Sequence, residues 1–363
     1  MQADPPILTA VSSSARQLFT LLRCVAFASK AHVQLSDQGV KFCVDEASVM
    51  EASAFVDKSL FATFNFYAPP LPPSSADSDD EEATPPLTFR ISLTALLETL
   101  QIFGLTDPNA SRPPWARDNP YPTSTAFSNN VLGMNNLCRI TYDAPGAPLS
   151  VILTEASIRT SCDLTTYEPE YTDEIPFDRQ SLAFKTIMRG SWLYDAILEL
   201  SSTSPEKLTM YAKMVHGKPF FALSSTGTLG SARVEFNNQP PTSTHRAPAV
   251  SRDDATAPPT NLLETFQLSD PDTILRASYK YTLIQKAARA MSVATKVSVR
   301  VDTQGVLSMQ FMIEVEPAAG GGASNVSFVD FRFVPLVEDE DDGGDEGETL
   351  MQGGDMDGYV DLF

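Results

Sequence analysis

Arg16, Arg23 and Lys30 stand seven residues apart, and no acid lies between Val11 and Ser29. Near the other end Lys280, Lys286, Arg289 and Lys296 fall within an acid-free stretch from Arg276 to Lys296. A third pair, Lys185 and Arg189, is spaced by four. Ordinary solvated helix faces mix signs. Faces carrying only Lys and Arg suit contact with phosphates, through charge and without reading a base sequence. The sequence offers no interleaved aromatic platform for stacking single strands.

Catalytic chemistry finds less support. A metal-dependent nuclease needs several carboxylates converging on two cations. The adjacent pairs Asp45-Glu46 and Asp253-Asp254 would point to opposite faces of a strand. The three histidines (His32, His216, His245) have no metal-ligand spacing, and no cofactor is expected. Cys24, Cys43, Cys138 and Cys162 lie far apart without CxxC pairing, which favours reduced intracellular thiols. The run TGTLG at Thr226–Gly230 lacks the GK[ST] ending of a phosphate loop and is read as a turn.

The net charge of −20 looks hostile to a polyanion until it is located. Eleven acids and no Lys or Arg fall between Glu338 and Phe363, and five more fall at Asp77, Asp79, Asp80, Glu81 and Glu82. Without these blocks the body is nearly balanced. Such blocks are expected to be disordered. The chain ends DMDGYVDLF, either a frayed terminus or a short docking motif. No apolar run is long enough to cross a membrane, and the N-terminus lacks the pattern of a secretory signal.

Elements that would position the cations come from a repeat. ASKAHVQLSDQGV (28–40) and ATKVSVRVDTQGV (294–306) align at an offset of 266. Each phrase alternates as a strand up to a Gly-bearing turn, so each is read as a hairpin with Gly39 or Gly305 at positive φ. Leu18, Leu22 and Val25, and at the same offset Ile284, Ala288 and Met291, predict a helix before each hairpin. Two more helices are predicted, at about Leu93–Phe103 and from Arg179 to Leu200. The remainder alternates as antiparallel sheet. The inserts 69–86, 107–130 and 238–261 are polar or Pro-rich.

FRISLTALLETLQIFG, the connector TYEPE, KPFFALSSTGTLGSARVEF, and KVSVRVDTQGVLSMQFMI followed by FVDFRFVP together resemble DNA sliding clamps of the PCNA type. They resemble more closely the checkpoint clamp subunit of the Rad-one family, the "one" of the nine-one-one ring. That resemblance implies an α+β fold of two tandem clamp domains, with antiparallel sheets outside and four helices inside. The expected division is 1–164, a connector 165–178, 179–337 and an acidic tail 338–363. It implies a nuclear heterotrimeric ring around double-stranded DNA, formed with two other clamp subunits and placed by a clamp loader. The ring would serve as a platform for checkpoint and repair proteins. By position, the hole-facing candidates are Arg16, Arg23, Lys30, Lys185, Arg189, Lys280, Lys286, Arg289 and Lys296. The helix near Leu93 departs from this pattern, since its only charge is Glu98. Subunit edges are expected at Ala156–Cys162, including Ile158, Thr160 and Cys162, and at Ala232–Phe236, including Arg233 and Glu235. The connector residues Tyr167, Glu168, Pro169 and Glu170 are a candidate docking surface. A homotrimeric replication clamp is the alternative, and a 3′–5′ exonuclease, an activity ascribed to members of this family, is a lesser one.

Overall fold

The computed structural model describes residues 5–12, 15–68, 87–102, 137–155, 158–170, 174–237, 262–315 and 325–337. The inserts at 69–86, 107–130 and 238–261 and the segment 338–363 lie outside the described residues, as does Asp253-Asp254.

Alternation of buried and half-exposed residues dominates the chain, as in KAHVQLS at Lys30–Ser36 and MEASAFVD at Met50–Asp57. One-sided burial of this kind builds antiparallel sheets with a core face and an outer face. Five strands form one sheet in the order β5-β1-β7-β8-β9. They are β1 (Leu8–Ser12), β5 (Thr63–Phe66), β7 (Leu137–Tyr142), β8 (Leu149–Glu155) and β9 (Ile158–Leu164). A four-stranded sheet, β13-β12-β11-β15, comes from the second half. It contains β11 (Pro205–Val215), β12 (Lys218–Gly227), β13 (Gly230–Asn237) and β15 (Leu275–Lys280).

A nine-stranded sheet, β14-β10-β16-β17-β18-β4-β3-β2-β6, joins the two halves. From the first half come β2 (Lys30–Ser36), β3 (Gly39–Glu46), β4 (Met50–Asp57) and β6 (Leu87–Ser92). From the second come β10 (Leu182–Arg189), β14 (Thr265–Leu268), β16 (Lys296–Asp302), β17 (Leu307–Val315) and β18 (Asn325–Phe333). The seam is the pairing of β18 with β4, where Phe328 faces Phe55 and Phe333 faces Met50.

Among the described residues five α-helices cover the core. They are α1 (Ala15–Cys24), α2 (Leu93–Gln101), α3 (Gly190–Leu200), α4 (Tyr281–Lys286) and α5 (Ala288–Val293). In α1 the buried Leu18, Leu21 and Leu22 fall on one stripe, leaving Arg16 and Arg23 exposed. Helix α1 packs on α2, α3 packs on α5, and α1 meets α5 where the halves join. Buried residues of both halves form one continuous core, with Phe89 stacked on Tyr142 and Phe184 on Phe221.

Both repeated phrases form hairpins with glycine at positive φ, +153° at Gly39 and +83° at Gly305. In the second, Asp302 Oδ1 accepts from the amides of Gln304 and Val306, both at 2.9 Å. TGTLG is a turn, joining β12 to β13 with Gly227 facing Gly230. Gly227 is required there, because a Cβ would lie 2.3 Å from the Ser204 carbonyl oxygen.

Two helix expectations are corrected. Residues 179–200 are not one helix but strand β10 followed by α3. The stretch 276–296 is β15, then α4 and α5, then the start of β16. The two helices divide at Ala287, whose ψ of −2° breaks the helical path. The helix expected from Leu93 is α2, which starts there with Ser92 Oγ accepting from Ala95 N at 3.2 Å and ends at Gln101.

Candidate nucleic-acid interface and connector groove

The helix cations divide sharply. Helix α1 exposes Arg16 and Arg23, and α5 exposes Arg289. Arg289 lies across the α1–α5 contact, close enough that its charge partly opposes the effect of burial on Cys24, whose thiol is pushed up to about 12. Among the described residues none of α1 to α5 has an acid in its first turn, so the positive ends of those helix dipoles are not offset there. Arg16 is disfavoured by its own helix dipole, so intrinsic helix stability does not explain it. Among the described residues Arg16, Arg23 and Lys280 have no ion-pair partner. Lys286 does: it pairs with Glu46 of β3, and its ammonium sits 5.7 Å from the Phe27 ring centre.

Other expected hole-facing residues sit on strands or at a helix start rather than within a helix. Lys30 opens β2 rather than ending a helix, and its ammonium lies 5.1 Å from the centre of the Tyr167 ring in the connector. Lys185 is on β10, in register with Arg300, on the sheet face opposite the buried Phe184 and Met188. Arg300 in turn lies against Phe177 of the connector, so this is the outer face. Lys296 opens β16 and donates to Glu264 at 2.6 Å. Arg189 occupies the N-cap position of α3 without a side-chain capping bond, and its guanidinium lies 5.1 Å from the Trp192 ring centre. Strand alternation explains the change: positions two apart share a face, and in 182–189 the apolar set points inward. Lys207, which the sequence reading passed over, faces Lys280 in register on β11 and β15. Its signal was a cation near the start of the strand PEKLTMYAKMV.

The connector crosses the outer face of the nine-stranded sheet and is pinned at both ends. At one end Tyr167 and Arg90 exchange backbone hydrogen bonds of 2.8 and 2.9 Å, and the Arg90 guanidinium pairs with Glu170. That bond lowers the pKa of the Glu170 carboxyl. At the other end Ile175 N donates to Glu51 Oε2 at 2.9 Å, and Arg332 donates to Ile175 O at 2.7 Å. Glu174 sits between Lys41 and Arg332, at 3.6 Å from each. Beneath lies a cavity of about 400 Å³ lined by His32, Cys43, Asp45, Glu51, Pro169 and Glu170, among others. Burial and the nearby Arg90 charge lower the pKa of His32, and burial pushes Cys43 up to about 11. The Cys43 thiol is therefore uncharged at neutral pH. Asp45 lines this cavity while its neighbour Glu46 faces α4, so the two carboxylates diverge across the strand as expected.

From Ile158 onward the first expected subunit edge lies on β9, Ala156 being outside the described residues, and the second lies on β13; both are edge strands. On β9, Ile158 is 42% exposed and Thr160 and Cys162 are half-buried. On β13, Arg233 pairs with Glu235 at 2.9 Å and lies over the Tyr211 and Phe220 rings. Among the described residues no three His, Cys, Asp or Glu side chains converge as metal ligands.

The fold is similar to that in the crystal structure of Proliferating Cellular Nuclear Antigen from Entamoeba histolytica. The TM-score is 0.58 at 12% identity, covering 92% of this chain and 100% of that one. The DNA damage checkpoint control protein rad1 of Schizosaccharomyces pombe is 30% identical over 332 residues, 90% of this chain and 86% of that protein. The cell cycle checkpoint protein RAD1 of Homo sapiens is 27% identical over 336 residues, 92% and 94% of the two chains. A protein named DNA repair exonuclease REC1, from Mycosarcoma maydis, is 25% identical over 213 residues, 51% of this chain and 41% of that one. The family model described as repair protein Rad1/Rec1/Rad17 matches residues 7–313. This chain, with its two-half clamp fold, belongs to the Rad1/Rec1/Rad17 family.

Proposed function

We propose that the chain is one subunit of a heterotrimeric, ring-shaped DNA damage checkpoint clamp. It works in the nucleus, encircles duplex DNA without reading its sequence, and recruits checkpoint and repair proteins. The observation that carries this reading is the α1–α5 face, where Arg16, Arg23 and Arg289 are exposed without an acid on either helix. A ring holds DNA topologically, so each phosphate contact can be weak and salt-sensitive while the protein slides. Two tandem domains, 1–164 and 179–337, joined by the connector, supply two arcs of the ring. Edge strands β9 and β13 offer unpaired backbone to neighbouring subunits, and head-to-tail contacts of that kind close a ring. A clamp loader opens it.

The connector strap, with Tyr167, Glu168, Pro169 and Glu170, is the docking surface for partner proteins. The role is a platform rather than a catalyst. Reversal of Arg23 and Arg289 to Glu tests the reading: duplex retention falls while assembly with the partner subunits survives. Loss of assembly instead means that these arginines are structural.

A further inference from the structure

The loop between α3 and β11 carries a motif that the clamp reading leaves unused. Residues 201–207 read SSTSPEK. A hydroxyl residue precedes proline at Thr84-Pro85 and at Ser204-Pro205, and only the second pair has a cation three positions on: Lys207 follows Ser204, whereas Leu87 follows Thr84. Ser-Pro-x-Lys suits a proline-directed protein kinase. The ring without an N–H seats where an amide donor would go unsatisfied, and the Lys meets an anionic site.

Ser204 is exposed, and among the described residues its Oγ makes no hydrogen bond. Its backbone is left-handed, at φ 50° and ψ 58°, just after the short 3-10 turn Ser201–Thr203. That conformation strains a non-glycine residue, and the following proline favours an extended one. Pro205 has no N–H to give to β12, and the register shifts between Pro205 and Lys207. The start of β11 can therefore straighten without breaking a regular ladder, into the extended form that a kinase cleft accepts.

We propose that Ser204 is a phosphorylation site for a proline-directed kinase, and that its phosphate unseats the β12–β13 turn beside it. Transfer of the γ-phosphoryl group of ATP forms the Oγ–P bond, breaks the bond from phosphorus to the β–γ bridging oxygen, and releases ADP and the hydroxyl proton. The new dianion stands beyond the C-terminal, negative end of α3 and next to Glu206, so it is repelled where it forms. The turn is seated on this same loop. Leu229 N donates to Thr203 O at 3.3 Å, Thr203 Oγ1 lies 3.0 Å from Ser225 Oγ, and Gly227 abuts the Ser204 carbonyl. Beyond the turn runs β13, an edge strand. Loosening it weakens the joint to a neighbouring subunit, a consequence that rests on the ring reading above; the modification itself does not.

Incubation of the full-length chain with a purified proline-directed kinase and Mg-ATP, mapped by peptide mass spectrometry, tests the site and separates Ser204 from Thr84. Phosphate should appear on Ser204 and be absent there in Ser204→Asn, a residue that tolerates the left-handed backbone. Lys207→Ala should slow the reaction about 10-fold, with Lys207→Arg restoring it. A Ser204 left unmodified in the folded chain, while a peptide of residues 200–209 is modified readily, overturns the proposal. Phosphorylation should raise hydrogen exchange at the amides of 226–231 about 10-fold, and unchanged exchange overturns the unseating. Modification with faster exchange, in a chain that joins no partner subunit in either state, would leave the site standing and remove the ring reading.

Discussion

The middle pair of helices and the flanking pair present opposite chemistry on one scaffold. Helices α1 and α5 meet where the halves join and expose Arg16, Arg23 and Arg289. Helix α2 exposes Thr94, Glu98 and Gln101, and α3 exposes Ser191, Asp195, Leu198 and Glu199. All four bury the same kind of apolar stripe, so core packing does not account for the difference. The outward residues are free of that constraint, and only in the middle do they become cationic. The lesson is that exposed positive charge gathers on α1 and α5 at the seam, while the exposed faces of α2 and α3 are neutral or acidic.

The largest effect is expected at the seam. Arg23→Glu with Arg289→Glu should weaken duplex binding roughly 100-fold near 0.1 M salt and lower the salt slope by about two, measured by fluorescence anisotropy. Glu98→Lys with Asp195→Lys and Glu199→Lys, on the flanks, should tighten binding only about 3- to 10-fold. A larger gain would mean that α2 and α3 also face the duplex.

Arg332→Ala removes the bond to Ile175 O and the charge between Glu51 and Glu174, with the Arg332 side chain 21% exposed. It should cost about 1–3 kcal/mol, read as a lower denaturation midpoint, and leave duplex affinity unchanged. Glu46→Ala frees Lys286 at the seam. Because both side chains are partly exposed, stability should fall by no more than about 1 kcal/mol, while duplex affinity rises slightly.

Asp330 sets the smallest effect. Burial raises its pKa above 3.8 more strongly than Arg300, 4.0 Å away, lowers it. Its contribution to stability is present below pH 3.8 and is lost as pH rises through the raised value. Asp330→Asn should therefore be slightly more stable than the parent at neutral pH, with the gain vanishing below that window. Urea midpoints at several pH values check it.

The hairpins and α1 were legible because their signals are local: period-two alternation, a glycine at the turn, and leucines on one stripe. The β10–α3 boundary was missed because SLAFKTIM satisfies both a helical and an alternating reading over so short a span. Gly190 was the available signal. A Cβ there would stand 2.5 Å from the Ala294 carbonyl oxygen, so glycine marks the close approach of α3 to α5 where the strand becomes helix. The same misreading set Lys185 on a helix, whereas it lies on strand β10 on the face opposite the buried Phe184. The pairing of Lys286 with Glu46 spans 240 positions, and no local pattern encodes it. The pinned connector was likewise visible only as an acidic linker, because its clasp residues Arg90, Glu51 and Arg332 come from distant strands.

The central claim is that the seam helices hold duplex DNA by charge, and its most direct test is the salt dependence of duplex binding by the full-length chain and its Arg23→Glu/Arg289→Glu variant. The account predicts a log–log slope shallower by about two in the variant, with the same ring mass on light scattering when the partner subunits are added. Equal slopes and equal affinities in the two proteins would contradict it.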